Sequence, residues 1–258
     1  MTTVSVTGGN TSITVYGSAT VFAGSGNDTI DVYGRGLIEA GNGNDSISVG
    51  LGGNIAVGNG HDTINLIGTG GVTERGFGGH DTITFGMGDD TVIEHGQATV
   101  YGAYGSATIS GGQLAAINSN CGIHELVAMS GSATLLGGDG TNKFIAGTGS
   151  AVMQGGTSTG SDTFIGGSGN DTMTGGASAS HNLFEFLSTE KGGHTVITNF
   201  VSGQDQLYVE GRSLSYLQNN HDITSSGGNT YITIDGGATT IELKGITSLS
   251  SSDVTTHK

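Results

Sequence analysis

The sequence predicts an all-β chain, a thin and repetitive fold with a narrow core. Three observations predict it. Apolar residues fall in short alternating runs such as Ser12-Ile13-Thr14-Val15 and Thr82-Ile83-Thr84-Phe85, the period of a half-buried strand. Glycine-rich turns separate these runs, and one motif returns at a fixed step. The chain also has 51 Gly, no Pro, no Trp and only 34% hydrophobic residues in 258, too few to fill a wide core.

The repeat is explicit. Gly24-Ser25-Gly26-Asn27-Asp28-Thr29-Ile30, Gly41-Asn42-Gly43-Asn44-Asp45-Ser46-Ile47 and Gly58-Asn59-Gly60-His61-Asp62-Thr63-Ile64 are copies of one motif, and the two steps between their aspartates are equal (45 − 28 = 17 and 62 − 45 = 17). The series continues at Gly78-Gly79-His80-Asp81 (81 − 62 = 19), then at Gly86-Met87-Gly88-Asp89-Asp90 (90 − 81 = 9), and returns at Gly166-Gly167-Ser168-Gly169-Asn170-Asp171. A weaker repeat, Gly17-Ser18-Ala19-Thr20-Val21, Gly96-Gln97-Ala98-Thr99-Val100, Gly105-Ser106-Ala107-Thr108-Ile109 and Gly131-Ser132-Ala133-Thr134-Leu135, lacks the aspartate and needs no metal.

Charge narrows the chemistry. Asp plus Glu number 22 against 7 Lys plus Arg, a net charge of -15. That excludes the basic footprint that nucleic acids require and calls for cations to offset self-repulsion. Calcium takes six to eight oxygens, from carboxylates and backbone carbonyls. Glycines that accept positive φ leave carbonyls pointing into a turn, and an aspartate at the start of each strand adds charge. A single Gly-Asn-Asp is an ordinary turn; several in register point to an ion. The candidate ligand set for several Ca2+ ions is Gly24, Gly26, Asp28, Gly41, Gly43, Asp45, Gly58, Gly60, Asp62, Gly79, Asp81, Gly86, Gly88, Asp90, Gly167, Gly169 and Asp171.

These segments resemble the glycine-aspartate nonapeptide of the repeats-in-toxin, or hemolysin-type, calcium-binding family. The resemblance implies a right-handed parallel β-roll (β-solenoid) in which two nonapeptides make one turn, so that the step from Asp28 to Asp45, to Asp62 and to Asp81 is one full turn each time. It also implies calcium between consecutive turns, taking carbonyls from one and aspartates from both. Adjacent copies then matter most, and Asp28, Asp45, Asp62 and Asp81 should make the best sites. The opposite half-turns, Tyr33-Gly34-Arg35-Gly36 and Leu51-Gly52-Gly53-Asn54, lack the aspartate, so one calcium edge and one plain edge are expected.

The texture changes near Asn182, so the sequence divides into a calcium-binding solenoid, 1–181, and a C-terminal β cap, 182–258. The segment His194-Thr195-Val196-Ile197-Thr198-Asn199-Phe200 resembles the capping region of the family, with Asn199 where the family usually has Asp. Tyr231-Ile232-Thr233-Ile234 and Thr240-Ile241-Glu242-Leu243 read as paired strands before a polar tail. In the family this region carries an uncleaved type I secretion signal. That agrees with Met1-Thr2-Thr3-Val4-Ser5-Val6, which has no basic or long apolar segment of a cleavable signal.

Other chemistries find little support. Cys121 stands alone and reads as a small buried residue; His61 and His80 occupy the variable position that Asn27 and Asn44 fill elsewhere and read as turn residues. There is no Gly-x-Ser-x-Gly elbow set on a strand and helix and no His-Glu-x-x-His helix, and adjacent Asp89-Asp90 would face opposite sides of a strand. The expected role is structural and not enzymatic: a secreted, self-assembling lattice, filament or biofilm-matrix subunit that folds on calcium after export. The alternative is a carbohydrate-binding or adhesin module, or a non-catalytic module of a secreted enzyme, with cell-surface polysaccharide as partner and Tyr16, Tyr33, Tyr101 and Tyr104 as stacking faces. Ice binding ranks last, because Thr-x-Thr pairs do not recur as a regular array.

Overall fold

Each glycine turn sends the chain from one parallel sheet to another, so two strands and two turns make one rung. The computed structural model describes residues 1–68, 71–76, 78–84, 88–94, 97–101, 105–111, 114–118, 121–128, 132–137, 139–156, 160–176 and 181–257. The architecture is an all-β parallel β-solenoid with a mixed sheet in its C-terminal part, as the repeats predict. The chain divides into two compact units, Met1–His124 and Glu125–Lys258.

In the first unit one sheet runs Thr2–Ser5, Ala19–Phe22, Gly36–Gly41, Gly53–Val57, Val72–Gly76, Gly88–Glu94 and Gly105–Gly111. The other runs Ser12–Val15, Thr29–Val32, Ser46–Val49, Thr63–Leu66, Gly78–Thr84, Gln97–Tyr101 and Leu114–Asn118. Register is strict: Ile13, Ile30, Ile47, Ile64 and Ile83 form one column, and all five are buried. Val21, Ile38 and Ile55 form the column facing in from the other sheet. Alternation puts Thr29, Ser46 and Thr63 outside. A core of single apolar columns explains how so few hydrophobic residues suffice, each buried Ile contributing roughly 1.5–3 kcal/mol.

The second unit repeats the plan with longer rungs and larger side chains. Asp139–Ile145, Thr163–Ile165, Leu183–Phe186, Gln206–Val209 and Val254–Thr255 form one parallel sheet. Ser132–Leu136, Ala151–Gln154, Thr172–Thr174, His194–Thr198 and Thr239–Leu243 form the other, which Asn229–Ile234 and Ile223–Ser226 extend antiparallel. Parallel rungs therefore continue beyond Asn182, and the expected strand pair is present. The polar tail is tied down: Asp253, fully buried, accepts from the backbone N–H of Gly203 at 2.8 Å and of Ser250 at 2.7 Å. The short α-helix Leu214–Asn219 is capped by Ser213, whose hydroxyl accepts from the Tyr216 N–H. Among the described residues no helix is long and apolar enough to cross a membrane.

Aromatic stacking fills this unit's core. Phe144, Phe164 and Phe184 lie in one buried column with ring centroids 4.8 and 4.9 Å apart, the strand spacing of a sheet. Removing the middle ring opens a cavity and breaks both stacks. Phe164→Ala should therefore lower unfolding free energy in saturating calcium by about 3–5 kcal/mol, measured by denaturant titration; a loss under about 1 kcal/mol would contradict this packing.

Candidate metal centre

Stacked turns bring like residues together. In the turn before each second-sheet strand, Gly41 and Gly43 adopt φ of 89° and 133°, which side chains rarely tolerate. A Cβ on Gly41 would lie 1.5 Å from the Gly24 carbonyl oxygen, and one on Gly43 1.9 Å from that of Gly26. The same clash excludes a side chain at Gly58, Gly60 and Gly79, so glycine carbonyls pile directly over one another along this edge.

Inside the turns runs a ladder of carboxylates. Asp28, Asp45, Asp62 and Asp81 are each no more than 2% exposed. The backbone N–H of Asp28 donates to Asp45 Oδ1 at 2.9 Å, that of Asp45 to Asp62 Oδ1 at 2.8 Å, and that of Asp62 to Asp81 Oδ1 at 2.9 Å. Oδ1 thus ties each turn to the one before it. The second oxygen, Oδ2, of Asp28, Asp45 and Asp62 is buried with no hydrogen-bond partner in the protein, which is costly unless another group satisfies it.

The energetics follow from this crowding. Burial pushes the Asp45 carboxyl up to about 6; the Asp28 N–H pulls it down, and the charges of Asp62 and Asp28 push it up further. Asp62 is likewise pushed up to about 6, first by burial, against the Asp45 N–H, with the Asp81 charge adding to the rise and His61 opposing it.

Sequence reasoning missed several members of the stack. Thr11 takes the aspartate's place in the first turn: its N–H and hydroxyl donate to Asp28 Oδ1 at 2.8 and 2.6 Å. Thr7-Gly8-Gly9-Asn10-Thr11 is a copy of the motif with Thr for Asp. The residue before each aspartate is more than a turn residue. Asn10, Asn27 and Asn44 accept through Oδ1 from the N–H of Asn27, Asn44 and His61, each at 2.8 Å, as a second, exposed ladder. His61 and His80 extend it as stacked rings 5.0 Å apart. The weaker repeat is also explained: Ala98 sits in register with Asp81 and Ala107 with Asp90, so alanine replaces aspartate in equivalent turns.

Not all candidate ligands join the ladder. Asp90 precedes the first-sheet core residue Val92, so it lies on the opposite edge; the short step from Asp81 to Asp90 is half a turn. Gly88 begins that strand, and Gly86 lies outside the described residues, as do Met87 and Tyr104. Asp171, with Gly167 and Gly169 before it, stands in register between Ala151 and Thr195. Its Oδ1 accepts from the Ala151 N–H at 2.9 Å and its Oδ2 from the Gly167 N–H at 3.2 Å.

In the second unit the edge before the first-sheet strands is polar. There Asn142, Asp162, Asn182 and Asp205 form another buried column. The Asn142 N–H and Nδ2 donate to Asp162 Oδ1 at 2.8 and 3.0 Å, and the Asn182 N–H and Nδ2 to Asp205 Oδ1 at 2.8 and 3.1 Å. Burial raises Asp162 and Asp205, and these hydrogen bonds oppose the rise. In the cap, Asn199 keeps φ of 54° and donates through Nδ2 to the carbonyls of Gly175 and Gly176.

The first-unit ladder fits a hard divalent cation. It offers buried carboxylate oxygens without partners, and glycine carbonyls beside them in a cradle that any Cβ would fill. Among the described residues no three His, Cys, Asp or Glu side chains converge, so backbone carbonyls must complete the shell. Such a stack of carboxylates and glycine turns defines a calcium-binding β-roll. The model for the RTX calcium-binding nonapeptide repeat matches four copies, at residues 14–34, 37–56, 75–92 and 156–179, so the chain carries RTX calcium-binding repeats in a β-solenoid. Asp62 lies between matched segments, yet the ladder includes it. No curated protein matches the chain.

Protons can substitute for the cation. Asp45 and Asp62 hold protons more tightly folded than unfolded, so their contribution is fully present below the ordinary carboxylate value of roughly 4 and is lost as pH rises through about 6. In chelator, the melting temperature should rise by at least about 4 °C between pH 7.5 and pH 5, and Asp45→Asn should remove much of that difference. Equal melting temperatures at the two pH values would refute this account of the ladder.

Proposed function

We propose that this protein works outside the cell as a non-catalytic structural subunit of a surface or matrix layer, whether lattice, filament or biofilm component, with copies of itself as partner. The observation that carries the reading is the buried column Asp28, Asp45 and Asp62 with its unpartnered Oδ2 atoms. Where free calcium is low, that column opposes folding by desolvation and like-charge repulsion; where calcium is high, binding free energy becomes folding free energy. RTX proteins are typically secreted, and a ladder that stays unfolded until it meets calcium suits type I export. The strict repetition of rungs supports a scaffold role.

A second reading is favoured by one surface feature. Tyr16 and Tyr33 are 86% and 60% exposed and stack on each other at 5.3 Å, and Tyr101 is also exposed. Aromatic faces in water suit sugar rings, so an adhesive or carbohydrate-binding module, recognising surface polysaccharide, is the alternative.

Light scattering and electron microscopy in chelator and then in millimolar calcium separate the two. A structural subunit should give ordered sheets or filaments only with calcium. A folded monomer that persists at high concentration in calcium would overturn self-assembly and leave the adhesive reading.

A further inference from the structure

The two units solve one problem in different ways. Each buries a column of side chains at the start of its strands, one rung apart. In the first unit that column is Asp28, Asp45, Asp62, Asp81, carboxylate upon carboxylate, and Oδ2 of the first three has no protein partner. In the second unit it alternates, Asn142, Asp162, Asn182, Asp205.

Alternation changes the chemistry. An amide brings two N–H donors where a carboxylate brings only acceptors. Asp162 receives Asn142 Nδ2 and its N–H, together with the backbone N–H of Gly156. Asp205 receives Asn182 Nδ2 and its N–H on Oδ1, and the Val201 N–H on Oδ2 at 2.9 Å. Even Asp171, between Ala151 and Thr195, has an N–H on each oxygen. Direct stacking of two carboxylates never occurs in the column from Asn142 to Asp205.

We infer that the second unit is closed by amides where the first requires calcium, so that Glu125–Lys258 folds in the absence of the ion and only the rungs from Thr11 to Asp81 respond to it. This rests on the calcium reading of the ladder and locates the calcium response within the chain. Carboxylates of the second unit, although they lie partly within a matched repeat, contribute no calcium site.

Hydrogen exchange of the full chain, followed by mass spectrometry at pH 7.5, tests it. In chelator, the strands around Ile30, Ile47 and Ile64 should lose protection by at least about 100-fold relative to millimolar calcium, while those around Phe144, Phe164 and Phe184 change by less than about 3-fold. Loss of protection in both units overturns the inference and leaves the calcium reading intact. No loss in either unit overturns both. As a second arm, Asn182→Asp places three carboxylates in succession; in chelator it should reduce protection of Leu183–Phe186 and Gln206–Val209 by at least about 10-fold, and unchanged exchange there would count against the amide's role.

Discussion

Everything in this molecule follows from stacking identical turns one strand spacing, about 4.8 Å, apart. Such a stack places each side chain directly over its counterpart, so any interaction, good or bad, is repeated at every rung. For isoleucine or phenylalanine repetition is cooperative packing. For a buried aspartate it is repulsion, repeated between Asp28, Asp45, Asp62 and Asp81. The backbone N–H that meets each Oδ1 relieves half of the difficulty. The other half is left for a cation, and the carbonyl-lined glycine turns are shaped to receive one.

Other turns of the chain show what it does without that ion. Threonine ends the ladder at Thr11 by donating a hydroxyl to Asp28. Alanine, at Ala98 and Ala107, removes the polar group altogether. Asparagine alternates with aspartate in the second unit and supplies donors from within the column. Calcium dependence is therefore a property of particular rungs and not of the solenoid architecture.

How much of this was legible in the sequence depended on periodicity. The ladder from Asp28 to Asp62 shows itself because glycine, aspartate and isoleucine all recur at one unchanging step. Thr11 escaped because a motif search keyed on aspartate passes over a hydroxyl in the same place. The second-unit column escaped because its residue type alternates and neither Asp162 nor Asn182 follows a Gly-x-Gly-x. A signal was nonetheless present: Asn142-Lys143-Phe144, Asp162-Thr163-Phe164 and Asn182-Leu183-Phe184 share one polar-x-aromatic pattern. Asp90 was seen but assigned to the same series, since spacing alone does not say on which edge a half-turn ends. The exposed Asn ladder could not be read at all, because a turn asparagine in water and one bonded to the next rung look alike in sequence.

The central claim is that the carboxylate column of the first unit is completed by calcium through oxygens the protein leaves unsatisfied. Anomalous scattering from crystals grown in calcium tests it most directly. The account predicts peaks between Asp28 and Asp45, between Asp45 and Asp62 and between Asp62 and Asp81, each within about 2.6 Å of carboxylate and glycine carbonyl oxygens. An ordered Asp28–Asp81 stack with no peak at those positions would contradict it.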